Sequence, residues 1–223
     1  MKDVHALLFD LDNTLMDRDY TFRSFSVQFV RDLLGHLESE VAGQVVEDMI
    51  LRDADGYRDK DGYFEELSQT LPWQTQVTAA DIRAYYDENY AGHGAIMKHA
   101  ESILNYCRDK GYVLGLVTNG KKDIQHAKID LLNLRHYFKV IVISGEVGIS
   151  KPDPDIYRLT LERLGVDADH SLFIGDHPVN DIWGAGKAGI DGIWLRKNHV
   201  WDHNLDILPW KTIHELDELK KIL

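Results

Sequence analysis

The sequence predicts an α/β fold in which a parallel sheet is packed between helices and an all-helical segment is inserted after the first strand. Three observations support this prediction. Five short apolar runs are typical of strands buried on both faces. Helical patterns alternate with the later runs, which favours parallel strand pairing. Residues 17–92 contain helical patterns but no convincing strand.

The predicted strands and helices follow one another in a regular order along the core. The strands occupy residues 4–9, 112–117, 140–144, 171–174 and 192–195, and the helices occupy 102–110, 121–132 and 155–164. Gly111 and Gly165 follow two of these helices, where a left-handed residue commonly ends a helix. In the second helix the predicted buried face consists of Ile124, Ala127, Leu131 and Leu132. Residues 213–223 are predicted to form a surface helix.

The insert differs from the core in both pattern and charge. Its predicted helices are 20–34, 41–52, 63–71 and 80–90. Residues 17–92 hold 16 acidic and 7 basic side chains, a net charge of −9 out of −12 for the whole chain. We therefore predict two domains, a core formed by residues 1–16 and 93–223 and a helical domain formed by residues 17–92.

Composition excludes several classes of function. A chain of 223 residues with 44% hydrophobic composition is long enough to bury a sizeable core. The net charge of −12 opposes binding to nucleic acid polymers. Cys107 is the single cysteine, so an intrachain disulfide is excluded. With no apolar run of membrane-spanning length and no secretion signal, we expect a cytoplasmic protein without a membrane partner.

Polar side chains follow four of the predicted strands at the points where those strands end. In chain order they are Asp10 and Asp12, Thr118 and Asn119, Lys151, and Asp176 and Asp181. The carboxyl ends of parallel strands meet at one edge of a sheet, where ligands bind in open α/β folds. Taken alone, each segment also fits a turn, a helix cap or a solvated lysine. Polar segments of this kind at four successive strand ends are not expected by chance, which favours a shared site.

The types of side chain predicted at this edge indicate phosphoryl transfer. Four carboxylates brought together repel one another unless a cation or a lysine compensates their charge. Oxygen ligands of this kind favour Mg²⁺. Lys151, Thr118 and the N-terminus of the following helix would bind the oxygens of a phosphate group.

These segments resemble the signature motifs of the haloacid-dehalogenase-like hydrolase superfamily, in the subgroup with a helical cap inserted after the first motif. Asp10 and Asp12 stand at the first motif, Thr118 at the second, Lys151 at the third, and Asp176 with Asp181 at the fourth. The resemblance covers essentially the whole chain. It implies a Rossmann-like core with an inserted all-helical cap domain.

The resemblance also implies a two-step phosphatase reaction on a small phosphorylated metabolite, such as a nucleoside monophosphate, a sugar phosphate or a phosphoglycolate-like compound. Asp10 would be the nucleophile that forms an aspartyl-phosphate, and Asp12 would be the general acid and base. Mg²⁺ would be held by the Asp10 carboxylate, the Asp12 carbonyl and Asp176. Asp181 would support the metal or position Lys151, and Thr118, Asn119 and Lys151 would bind phosphate.

Alternatives to a phosphatase remain open from the sequence. A 2-haloacid dehalogenase of the same superfamily uses the same nucleophile, but halide leaves without a proton, so Asp12 favours phosphate. A phosphomutase shares both aspartates and differs in the acceptor of the phosphoryl group. A signalling receiver module carries similar side chains but is shorter and lacks a cap, and a non-catalytic phospho-ligand-binding protein on the same scaffold would show no turnover.

Overall fold

The computed structural model describes residues 3–223, which form two compact units. The first unit contains the chain up to Asp17 together with Ile96–Leu223, and the second is Arg18–Ala95. Within the described residues, no helix is both long enough and apolar enough to cross a membrane.

A six-stranded parallel sheet forms the centre of the first unit. Its strands are β1 Ala6–Phe9, β2 Val113–Thr118, β3 Val140–Ile143, β4 Ser171–Gly175, β5 Asp191–Leu195 and β6 Lys211–Ile213. Their order across the sheet is β3-β2-β1-β4-β5-β6. Phe9 of β1 pairs with Leu116 on one side and Ile174 on the other. The order reverses at β1, and a crevice at the carboxyl ends of β1 and β4 is where such sheets bind ligands.

The second unit is entirely helical. Its helices are α1 Arg18–Leu33, α2 Ser39–Asp53, α3 Lys60–Thr70 and α4 Ala79–Asn89. Aromatic side chains fill its interior, with Phe25 packed edge-on against Tyr86 and Tyr90 at centroid distances of 5.3 and 5.6 Å. Thr78 and Asp81 form a capping box that begins α4. The α/β fold class with an inserted helical domain is thus confirmed.

Helices cover both faces of the sheet in the first unit. They are α5 Ala100–Asp109, α6 Lys122–Leu131, α7 Ser144–Val147, α8 Pro154–Leu164 and α9 Gly184–Lys187. Successive residues of β1 point to opposite faces, so Leu7 and Phe9 pack with one cluster while Ala6 and Leu8 pack with another. All four of these side chains are fully buried, which explains why β1 appears in the sequence as a continuous apolar run.

Two details of the predicted core are wrong. Residues 213–223 do not form a continuous surface helix, because Lys211–Ile213 pair with β5 as a sixth strand and a 3₁₀ helix follows at Leu216–Lys221. The predicted buried face of α6 is also wrong. Leu131 is 52% exposed, whereas Gln125, Lys128 and Ile129 are buried. Two of those three side chains are polar and have partners in the site described next.

Candidate active site

Three buried carboxylates meet at the carboxyl ends of β1 and β4. Asp10 directly follows β1, and its N–H donates to the carbonyl of Ile174 on β4 at 2.9 Å. Asp176 directly follows β4. Asp10, Asp176 and Asp181 each contribute a carboxylate oxygen to a group whose atoms lie within 4.8 Å of one another. The pairing of β1 with β4 therefore brings together residues that are 166 positions apart in the chain (176 minus 10).

Lys151 bridges two of these carboxylates. Its Nζ lies 2.6 Å from Asp10 Oδ1 and 2.7 Å from Asp181 Oδ1. The lysine is only 5% exposed, so it is not a solvated loop residue. Asn119 fixes the lysine backbone, because its side-chain amide donates to the Lys151 carbonyl and accepts from the Lys151 N–H, both at 2.9 Å. The Asn119 amide thus positions Lys151.

Asp181 is held by local backbone geometry. It lies on a short π-helix at Pro178–Trp183, and its Oδ2 accepts a hydrogen bond from the His177 N–H at 2.9 Å. Gly175 makes room for it, since a Cβ at that position would lie 2.4 Å from the Asp181 Cγ. Trp194 on β5 donates from Nε1 to the Asp176 carbonyl at 2.7 Å, which anchors the loop after β4.

Burial and neighbouring charge change the pKa values of the Asp10–Lys151 pair. Burial raises the pKa of Asp10 to about 7, with the Asp181 and Asp12 carboxylates acting in the same direction and Lys151 opposing them. Burial lowers the pKa of Lys151, but the carboxylates of Asp10 and Asp181 outweigh this and raise it above its ordinary value. The lysine therefore stays protonated, while Asp10 retains a proton more readily than an exposed aspartate.

The donor atoms fit a hard divalent cation. When ionised, the carboxylates of Asp10, Asp176 and Asp181 carry three negative charges, and Lys151 supplies one positive charge, so two negative charges remain. Mg²⁺ would neutralise that excess, and an all-oxygen donor set is the one it prefers. Both oxygens of Asp181 already accept hydrogen bonds, from Lys151 and from His177.

Asp12 and Thr118 contact α6 through side chains that the sequence did not single out. The Asp12 carboxylate accepts hydrogen bonds from Lys128 Nζ at 2.8 and 3.1 Å and from Gln125 Nε2 at 2.9 Å. Gln125 Nε2 also lies 2.6 Å from Thr118 Oγ1. A signal was present in the sequence: two polar residues three positions apart lie in the helix that follows Thr118. The prediction missed these two residues because it assigned the buried face of the helix from its apolar residues alone.

Comparison with known proteins identifies the family. The family model described as haloacid dehalogenase-like hydrolase matches residues 7–195. The chain belongs to this family. Its cap is the inserted helical unit, and the matched range contains Asp10, Asp12, Thr118, Lys151, Asp176 and Asp181.

Individual relatives carry phosphatase names. A glyceraldehyde 3-phosphate phosphatase of Pyrococcus abyssi is 26% identical over 227 residues, covering 99% of this chain and 94% of that protein. A phosphoserine phosphatase of Thermus thermophilus is 42% identical over 96 residues, which is 43% of this chain and 39% of that protein. The crystal structure of a HAD phosphatase from Thermococcus onnurineus is 27% identical, has a TM-score of 0.71, and aligns over 98% of this chain and 97% of that chain.

Proposed function

We propose that this chain is a Mg²⁺-dependent phosphohydrolase that removes phosphate from a small phosphate monoester through an aspartyl-phosphate on Asp10. The chain is a phosphatase, the class to which its family and its full-length relatives point together.

This proposal rests on one buried cluster of charged side chains, formed by Asp10, Lys151, Asp181 and Asp176. A carboxylate with a nearby ammonium group offers both a nucleophile and a charge that attracts phosphoryl oxygens. The position at the carboxyl ends of β1 and β4 is where an open α/β sheet binds its ligand. A purely structural ion pair would not require a further buried carboxylate, from Asp176, beside it.

The first step transfers the phosphoryl group to the enzyme. An oxygen of the Asp10 carboxylate attacks phosphorus, an Asp10 O–P bond forms, and the bond from phosphorus to the leaving oxygen breaks. Lys151 and Thr118 bind non-bridging oxygens of the phosphoryl group. Asp12 gives a proton to the leaving oxygen, which departs as an alcohol. Asp12 lies two residues after the nucleophile, and its carboxylate is near enough to Asp10 to raise the pKa of that group.

The second step regenerates Asp10. Asp12, now ionised, takes a proton from a water molecule that attacks phosphorus, and the Asp10 O–P bond breaks to release inorganic phosphate. Asp10, Asp176 and the Asp12 carbonyl would hold the metal, while Asp181 keeps Lys151 in place. When bound, Mg²⁺ supplies positive charge that offsets the repulsion between the nucleophilic carboxylate and the phosphate dianion.

Phosphate release from p-nitrophenyl phosphate tests the proposal. Wild type is compared with Asp10→Asn in Mg²⁺ and in chelator, and Asp130→Asn serves as a matched control because Asp130 is exposed and pairs with Arg135. We expect Mg²⁺-dependent turnover in wild type and in the control, and none in Asp10→Asn. Turnover that persists in Asp10→Asn would exclude the proposed nucleophile, and turnover that persists in chelator would exclude the metal.

For the substrate class, we propose compounds with a single phosphate. Glyceraldehyde 3-phosphate and phosphoserine are the first to test, because relatives are named for them. The net charge of −9 on residues 17–92 disfavours substrates that carry further negative groups. Paired sugar mono- and bisphosphates should therefore differ, with the monophosphate showing the higher kcat/KM. Preference for the bisphosphate would contradict this part of the proposal.

A further inference from the structure

Helix α6 buries two polar side chains on the face that meets the site. Gln125 and Lys128 are 2% and 3% exposed, a degree of burial that is uncommon for both residue types. Burying an ammonium group is unfavourable unless it is paired. The partner here is Asp12, the residue proposed to donate and accept the proton of the reaction.

Together the two side chains bind both oxygens of the Asp12 carboxylate. Lys128 Nζ lies 2.8 Å from Oδ1 and 3.1 Å from Oδ2, and Gln125 Nε2 lies 2.9 Å from Oδ2. Three hydrogen bonds from a single helix restrict both torsions of a short side chain. The direction in which the Asp12 carboxylate presents its oxygens is therefore set by α6.

Gln125 also links Asp12 to Thr118. Its Nε2 carries two hydrogens and donates one to Asp12 Oδ2 at 2.9 Å and the other to Thr118 Oγ1 at 2.6 Å. The opposite amide orientation would place Oε1 against an ionised carboxylate, which is unfavourable. Thr118 Oγ1 accepts this hydrogen bond, and its own proton is directed to the Asn119 carbonyl over a long 3.5 Å contact, which a phosphoryl oxygen could replace. Gly120 leaves space for the Gln125 side chain, since a Cβ there would lie 2.9 Å from its Cγ.

We infer that Lys128 and Gln125 are positioning residues, which orient Asp12 for proton transfer to the leaving oxygen and, through Gln125, align Thr118 with the phosphoryl group. This inference rests on the proposed function. Proton transfer requires the two heavy atoms to approach within hydrogen-bond distance in the correct direction. An Asp12 carboxylate released from α6 would lose this orientation.

The dependence of the rate on the leaving group separates this role from a structural one. When the phosphoryl group moves to Asp10, the electron pair of the breaking P–O bond stays on the leaving oxygen. An alkoxide needs the proton of Asp12, whereas p-nitrophenolate is a stable anion that departs without one. The parameter kcat/KM reports steps up to the departure of the leaving group, so it isolates the proton donation from the later hydrolysis.

The experiment compares wild type with Lys128→Met and Gln125→Leu. Each is assayed with p-nitrophenyl phosphate and with whichever of glyceraldehyde 3-phosphate and phosphoserine gives wild type the higher kcat/KM. We expect kcat/KM for the alkyl phosphate to fall at least about tenfold further than that for p-nitrophenyl phosphate. Lys139→Met is the matched control, because Lys139 Nζ donates to the Leu164 carbonyl at 3.0 Å and the residue precedes β3, at the end of that strand opposite to the site.

The outcomes distinguish this inference from the function on which it rests. A selective loss on the alkyl phosphate in both variants, with wild-type behaviour in Lys139→Met, supports positioning. Equal losses on both esters, or no loss, in variants with an unchanged thermal unfolding midpoint would overturn it. A variant that unfolds early is replaced by Lys128→Gln or Gln125→Asn, judged by the same ratio. Absence of Mg²⁺-dependent turnover in wild type would overturn the proposed function and this inference together.

Discussion

The Nζ of Lys151 donates a hydrogen bond to Asp10 Oδ1 over 2.6 Å, although both side chains are almost completely buried. A second carboxylate, Asp181, lies 2.7 Å from the same Nζ. One ammonium group therefore pairs with two carboxylates in a buried region, where water does not screen the interactions between their charges. This sharing is unfavourable for the metal-free protein, but it suits a site that receives further positive charge from a cation.

Replacing Lys151 with Met tests the role of this ammonium group. We expect kcat for p-nitrophenyl phosphate to fall by about 10²- to 10³-fold, because a positive charge aimed at the phosphoryl oxygens is lost. The control is Lys187→Met, which removes an exposed pair with Asp206 at 3.1 Å and should leave kcat unchanged. Comparable activity in Lys151→Met and Lys187→Met would show that Lys151 takes no part in the reaction.

Gly175→Ala tests whether the position of Asp181 matters. The added Cβ would lie 2.4 to 2.5 Å from Asp181 side-chain atoms, so Asp181 must move and its hydrogen bond to Lys151 must change. A displacement of about 1 Å in such a site costs about 10²-fold in rate. We therefore expect kcat to fall by about that factor, while the family fold is retained.

The control for that substitution is Gly43→Ala on the exposed surface of α2, where a Cβ would have no neighbour within 4 Å. It should leave kcat unchanged and raise the free energy of unfolding by about 0.5–1 kcal/mol, since alanine favours a helix over glycine. Wild-type kinetics in Gly175→Ala would mean that Asp181 tolerates displacement.

The sequence predicted those features that depend on short stretches of chain. Continuous apolar runs identified the buried strands, and Asp10 and Asp176 were found because each follows one of them directly. The strand Lys211–Ile213 was missed because it is short and its first two residues are exposed, so only pairing with β5 defines it. The contacts of Lys128 with Asp12 span 116 positions and have no local pattern.

A buried ion cluster in the cap provides a stability prediction. Asp53, 1% exposed, accepts from Arg18 at 2.7 Å and also pairs with Lys60. Asp53→Ala would leave two cations without this shared partner, and we expect urea denaturation to show a loss of about 3–5 kcal/mol. The Arg23–Glu47 pair of the same unit is exposed, so Glu47→Ala should cause no measurable loss. Equal losses of unfolding free energy in Asp53→Ala and Glu47→Ala would show that the buried cluster stabilises the cap no more than the exposed pair does.

The last prediction concerns the pH dependence of metal binding. The pKa of Asp10 is about 7 in the folded protein without metal and 3.8 ordinarily, so the folded state binds a proton that the unfolded state releases. The stability that this proton contributes is complete below pH 3.8 and is lost as the pH rises through about 7. If Mg²⁺ binds Asp10 as proposed, it displaces the same proton, so its binding should weaken by up to about tenfold per pH unit below 7.

This effect can be measured by thermal unfolding of wild type. The unfolding midpoint is recorded over a range of Mg²⁺ concentrations at several pH values between about 5.5 and 8. We expect the stabilisation by a fixed Mg²⁺ concentration to grow as the pH rises and to level off above about pH 7. Asp10→Asn, which cannot titrate, should bind Mg²⁺ more weakly and show a flatter pH profile. If the wild-type profile is as flat as that of the variant, Asp10 is not the group that Mg²⁺ deprotonates, and the metal lies elsewhere among the acids of the site.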